Sequence, residues 1–257
     1  MTGSTTLLLL RHGESAWNAA DRFAGWVDVP LSARGRVQAG RCGELLRDTG
    51  LLPDVVHTSL LRRAVSTADL ALDAADRHWI PVRRSWRLNE RHYGALQGRN
   101  RMQVRAEYGA DLLRFWRRSF HGRPPPIAQG SVFGQDEDVR YRELGVHVPR
   151  TESIADVLDR LRPYYESEIA ADLYAGRTVL VVAHGNVLRA LIRHLGVLAG
   201  APADDDLSDD DLSEVQLPTG ALLRYDLTDV LLPVRPVGVL LGAAGATGWP
   251  ALRATSE

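Results

Sequence analysis

Two short stretches of the sequence bring together residues able to do chemistry. In "LLLLRHGES", four leucines run straight into Arg11, His12, Gly13 and Glu14. In "VLVVAHGN", an apolar run ends on His184, Gly185 and Asn186. Each places an imidazole beside a glycine where a buried segment stops. A neutral imidazole nitrogen can attack phosphorus and carry the phosphoryl group as a labile phosphoramidate. Such transfer depends on positive charge held around the phosphoryl oxygens. Arginine is the obvious source here. The sequence has no lysine, so all 31 of its Lys+Arg residues are arginine. Arginine keeps its proton and grips phosphate or carboxylate bidentately. "HTSLLRRA" offers Arg62 and Arg63, and "RFWRRSF" offers Arg117 and Arg118. No Asp/His cluster shows metal-ligand spacing. Neighbouring arginines would also favour the neutral, nucleophilic imidazole. Glu90, in "LNERHYG", is the candidate general acid: an anionic phosphate nearby raises a carboxyl's affinity for its proton. Glu14 reads as structural, as do His57, His78, His92, His121, His147 and His194.

These residues need rigid supports. Residues 6–10, 54–59, 79–84 and 178–183 read as strands, the last a continuous β-branched run of the kind covered on both faces. Leu60, Ala64, Ala68 and Leu72 form one helical stripe; Ile154, Val157, Leu158, Leu161 and Tyr165 form a second, with Ser153 and Asp156 as a capping box. Leu188, Leu191, Ile192 and Leu195 form a third, directly after the His184 turn. Alternating strands and helices predict an α/β three-layer sandwich around a mainly parallel sheet. In such sheets ligands bind outside the carboxyl ends of the strands. Each glycine is then expected to let backbone N–H groups approach an anion closely.

Residues 87–150 break the rhythm and read as an insertion over the active edge of a single domain spanning 1–257. "DDDLSDDDL" (residues 204–212) reads as a solvated acidic turn and short helix. The Gly- and Ala-rich tail, 231–257, receives no role. The 257 residues are 45% hydrophobic with a net charge of −1, which suits a soluble globular domain and gives no reason to expect nucleic acid. No apolar run is long enough for a membrane span, and the amino terminus does not read as a secretory signal. Cys42 is the only cysteine, so no internal disulfide is available and a cytoplasmic location is expected.

Taken together, "LLRHGESAWN", "GWVDVPLSARG", "TSLLRRAVST", "WRLNERHYGALQG", "WRRSF", "PPPI", "RTESIADV", "VLVVAHGNVLRALI" and "LPTGALLRYDL" resemble the cofactor-dependent phosphoglycerate mutases of the histidine phosphatase superfamily. The resemblance covers roughly residues 6 to 227, in order. It implies metal-independent interconversion of 3-phosphoglycerate and 2-phosphoglycerate, with 2,3-bisphosphoglycerate priming a phosphohistidine at His12. Glu90 would be the acid/base. Arg11, Arg63 and His184 would hold the transferring oxygens, with Asn18, Gly185 and Asn186 alongside. Arg91, Tyr93, Arg117 and Arg118 would line the substrate pocket, and a homodimer is implied. The chain departs from the family pattern at Ala24-Gly25, where Thr-Gly is usual. It departs again at Arg101, where lysine is usual, and at Val187, where serine is usual. All but Val187 are carried as ligand-binding positions. The alternatives are a phosphatase for small phosphate esters that shares His12, and a non-catalytic phosphate-binding protein.

Overall fold

The computed structural model describes residues 5–200 and 217–242. Its strands are β1 (Thr5–Arg11), β2 (Val55–Thr58), β3 (Val82–Arg84), β4 (Val179–Ala183), β5 (Leu222–Leu227) and β6 (Val239–Leu241). The helices are α1 (Ala16–Ala19), α2 (Ala33–Asp48), α3 (Arg62–Ala74), α4 (Arg101–Tyr108), α5 (Ala110–Arg118), α6 (Val139–Arg142), α7 (Ile154–Tyr164), α8 (Ala170–Tyr174) and α9 (Gly185–Leu198). The strands form one sheet in the order β3-β2-β4-β1-β5-β6. The first four are mutually parallel; β5 pairs antiparallel with β1, and β6 antiparallel with β5. The expected α/β sandwich with a mainly parallel sheet is therefore present, with a two-stranded antiparallel edge.

Alternation along the strands divides the core in two. Leu7, Leu9, Val179 and Val181 pack with Val157 and Leu161 of α7 and with Leu188 and Leu191 of α9. Leu8, Leu10, Leu180 and Val182 pack on the other face with Cys42 and Leu46 of α2 and with Ala64, Ala68 and Leu72 of α3. The period of two in a strand sends neighbours to opposite faces, so an uninterrupted leucine run means cover on both sides. The Ser153–Asp156 capping box forms, with the Ser153 N–H donating to Asp156 Oδ2 at 2.6 Å.

Register places the chemistry. Leu10 pairs with Val182 and Arg11 with Ala183, while Thr58 of β2 also pairs with Val182. Three adjacent parallel strands therefore end level with one another, and the residues leaving them are Ser59, His184 and His12. The His12 N–H continues the ladder to Ala183 O at 3.0 Å.

Some elements differ from expectation. The helix α2 has no strong apolar stripe, because its buried residues are mostly small: Gly35, Ala39, Cys42, Gly43 and Leu46. The third strand shortens to three residues at the sheet edge, after Pro81, where a proline costs no ladder bond. In the tail, Val239–Leu241 forms the edge strand β6 beside β5. The acidic stretch 204–212 and residues 243–257 lie outside the described residues. Residues 87–150 contain α4, α5 and α6. They contribute Leu96, Val104, Leu113 and Trp116 to a separate small core completed by Phe23.

Candidate active site

His12 is only 3% exposed. Its Nδ1 lies 2.6 Å from Gly13 O. A carbonyl only accepts, so Nδ1 carries the proton and Nε2 keeps its lone pair. The His184 ring centroid is 4.9 Å away. Burial holds His12 well below the ordinary histidine value, with Arg63 and then Arg11 adding to the shift and the Gly13 carbonyl opposing it. The neutral imidazole expected from sequence is thus favoured first by burial and second by arginines. His184 is held neutral in the same way, by burial, then Arg63, His12 and Arg11.

Gly13 does a different job from the one expected. Its N–H donates to Thr67 Oγ1 at 3.0 Å, and a Cβ there would meet Gly35 O at 2.2 Å. The missing side chain admits helix α2, and the carbonyl orients His12. Glu14 is structural, as expected: its Oε1 accepts from the hydroxyl of Ser32, the N-cap of α2, at 2.8 Å.

Arg63, 1% exposed, donates to Val27 O at 3.0 Å and to Gly25 O at 2.8 Å. Burial lowers it to about 10, which still leaves it charged at neutral pH. Gly25 has φ +54, and a Cβ there would collide with Gln97 Oε1 at 2.1 Å. Its role in this structure is to shape the turn that holds Arg63. Arg62, by contrast, points to solvent while its N–H donates to Asp28.

Glu90 is held from several sides. Oε1 accepts from the N–H of Arg91 at 2.8 Å, the N–H of Asn186 at 3.2 Å and Nδ2 of Asn186 at 3.1 Å. Its carbonyl accepts from Trp26 Nε1 at 2.6 Å and from Arg160 Nη2 at 3.0 Å. Arg160 is itself fixed by a buried ion pair to Glu152 at 2.7 Å. Asn186 Nδ2 also reaches the Tyr93 hydroxyl at 2.8 Å, and the Arg91 guanidinium stacks over the Tyr93 ring at 4.7 Å.

A cavity of about 430 Å³ opens beside these groups. Arg11, Glu90, Tyr93, Arg101, Arg117, Arg118, Gly185, Asn186 and Arg189 line it, with Leu217 and Pro218. His12 and His184, both buried, are the chain neighbours of the lining residues Arg11 and Gly185, and the buried Arg63 acts electrostatically on both rings. Several donors have no protein acceptor: Arg11 Nε, Nε and Nη2 of Arg91, and Arg101 Nε; the ring nitrogen Nδ1 of His184 likewise has no protein partner. Buried N–H groups of this kind call for an anionic ligand with several oxygens. Arg101 also donates to Asp21 Oδ1 at 2.8 Å and lies over Phe23. Asn18, Ala24 and Arg91 are not among the lining residues; Arg91 is fully buried behind the cavity, its Nη1 donating to Gly122 O at 3.2 Å. The Asn18 carboxamide oxygen is used in the capping box of α1, accepting from the Ser15 N–H at 3.0 Å. Ala24 sits in the turn closed by Val27 N–H to Ala24 O at 3.0 Å.

Sequence reasoning missed Arg189, Ser59, Trp26, Gln97 and Arg160. Only Arg189 carried a local signal. It lies one helical turn beyond Gly185 and so shares its face.

Two neighbouring His-Gly strand ends, one imidazole oriented as a nucleophile and an arginine-lined cavity define a histidine phosphatase type of site. A family model described as the histidine phosphatase superfamily (branch 1) matches residues 7–135 and 134–205. Solved structures agree on the fold. A mycobacterial glucosyl-3-phosphoglycerate phosphatase in complex with VO3 matches with a TM-score of 0.62 at 27% identity, over 86% of this chain and 92% of that one. The 2,3-bisphosphoglycerate-dependent phosphoglycerate mutase of Nocardia farcinica is 53% identical over 96% of each chain. That of Leifsonia xyli is 52% identical over 100% of each. The chain belongs to the histidine phosphatase superfamily and, within it, to the family of 2,3-bisphosphoglycerate-dependent phosphoglycerate mutases.

Proposed function

We propose that this chain runs its family's reaction, the interconversion of 3-phosphoglycerate and 2-phosphoglycerate in glycolysis and gluconeogenesis, with His12 as the phosphoryl carrier. The observation that carries this is the Nδ1 contact to Gly13 O, which leaves Nε2 as the ring's basic atom beside Arg11 and Arg63. The unpaired nitrogens of Arg11 and Arg101 and the cavity's size fit 2,3-bisphosphoglycerate; Arg117, Arg118 and Arg189 add positive charge to the same lining. When bound, it supplies the phosphoryl group that first charges His12.

The residues then act as follows. The free hydroxyl of 3-phosphoglycerate attacks the phosphorus on His12, the P–N bond breaks, and Glu90 takes the hydroxyl proton. In the return step Nε2 attacks the other phosphoryl group, the P–O bond breaks, and Glu90 gives its proton to the leaving oxygen. Oε1 of Glu90 already accepts three N–H donors, so the mobile proton belongs on Oε2. Arg11, Arg63 and the Nδ1 of His184 face the charge on the transferring oxygens, a job that metal ions do in many phosphoryl transfers. The cover formed by residues 87–150 keeps water from the phosphohistidine and so favours transfer over hydrolysis.

The reading places the enzyme in the cytoplasm. Its kinship with phosphoglycerate mutases and its single cysteine, Cys42, support this, and no helix among the described residues is long and apolar enough to cross a membrane. The family resemblance supports a homodimer.

The test is a coupled assay on 3-phosphoglycerate, with and without 2,3-bisphosphoglycerate, run alongside phosphate release. Mutase turnover stimulated by the bisphosphate and surviving thorough chelation is expected. Phosphate release alone, or activity restored only by a divalent ion, would overturn it.

A further inference from the structure

Ser59 leaves β2 beside His184, which leaves β4 beside His12. Ser59 and His184 are each 0% exposed. Ser59 Oγ lies 2.8 Å from His184 Nε2, and it also accepts from the Leu61 N–H at 3.1 Å. A hydroxyl has one proton to give. Among the described residues, His184 Nε2 is the acceptor within hydrogen-bond reach of that proton. A buried hydroxyl without an acceptor is costly, so the bond runs from Ser59 Oγ–H to Nε2.

That direction decides what His184 offers on its other side. With Nε2 as acceptor, the neutral ring must carry its proton on Nδ1. His184 Nδ1 is buried and has no protein partner. Were the bond reversed, Nε2–H would donate to Ser59 and Nδ1 would present a lone pair. The same ring position would then repel a phosphoryl oxygen. We propose that Ser59 is a positioning residue that fixes the Nδ1–H tautomer of His184, turning that ring into a hydrogen-bond donor for the phosphoryl group on His12. The proposal rests on His12 carrying the group. It adds that the two histidines, similarly buried and similarly neutral, are given their roles by different neighbours. A backbone carbonyl accepts from Nδ1–H of His12 and leaves Nε2 free to attack. A serine hydroxyl occupies Nε2 of His184 and frees Nδ1–H to bind.

The tautomer can be read directly by long-range proton–nitrogen correlation NMR on protein carrying nitrogen-15 histidine, near neutral pH and without substrate. The His184 signals are assigned by their loss in His184→Gln. The expected spectrum shows a protonated Nδ1 and an unprotonated Nε2. A protonated Nε2 in the wild-type protein would overturn the proposal whatever the variants do. In Ser59→Ala the hydroxyl proton is gone, and His184 is expected to shift toward the Nε2–H form. Steady-state turnover should then fall about a hundredfold, the worth of one donor to a developing oxyanion. KM should stay within about threefold, as for an interaction made chiefly in the transition state. An unchanged tautomer with unchanged turnover in Ser59→Ala would also overturn it. A correct tautomer in a protein without mutase activity would count against the proposed function and leave the assignment of Ser59 standing.

Discussion

Glu90 divides its carboxyl between two tasks. Three N–H donors converge on Oε1 and hold the group in place, so Oε2 is the oxygen available to exchange a proton. A glutamine can keep an oxygen toward those donors while placing an amide where Oε2 stood. Glu90→Gln is therefore expected to fold normally and to lose turnover by roughly two to four orders of magnitude, the usual worth of a general acid/base. Comparing kcat with the urea unfolding midpoint checks both halves; a near-normal rate would assign the proton to another group. At this scale His12, Arg11, Glu90 and His184 were legible because their chemistry sits in short local motifs. Gly13 was misread: its missing Cβ makes room for Gly35 rather than for an anion. Ser59 and Arg160 were not legible, because their partners lie far away in sequence.

Among the elements, α2 shows how the nucleophile's strand is held. A Cβ on Gly13 would lie 2.2 Å from Gly35 O, and one on Gly35 would lie 2.0 Å from Glu14 O. Both obstacles are backbone atoms, which cannot swing aside. Gly13→Ala should push the exit of β1 away from α2 and cost about 1–3 kcal/mol, as overpacking does. Denaturant unfolding with an unchanged slope measures this, and wild-type stability would contradict it. The helix had little signature in the sequence because a close-packed face of Gly, Ala and Cys has no strong apolar period. The strand β5 alternates, with Leu223, Tyr225 and Leu227 on one face, yet its antiparallel direction depends on pairing with the distant β1. Strong local runs such as residues 178–183 show their own burial; sheet order is a property of pairs.

For the whole molecule, the buried histidines link stability to pH. Burial lowers His12, His57, His92 and His184 below the ordinary value, His92 to about 4. The unfolded chain binds protons at the ordinary histidine value of about 6.5, while the folded chain resists them. Stability is thus fully present above that value and is lost as pH falls toward the folded values. His92 alone contributes roughly 3 kcal/mol across the window from 6.5 down to about 4. The urea midpoint should drop steadily from neutral pH to about 4, and less steeply in His92→Gln. A flat midpoint over that window would mean that these histidines titrate normally in the folded protein.

In the proposed mechanism one atom, Nε2 of His12, carries the phosphoryl group. Incubation with 2,3-bisphosphoglycerate labelled in its phosphoryl groups, followed by quenching in base and peptide mapping, tests it most directly. A single acid-labile label on His12, and no label at all on His12→Ala, is expected. Label retained by that variant, or mapped to His184 in the wild-type protein, would contradict it.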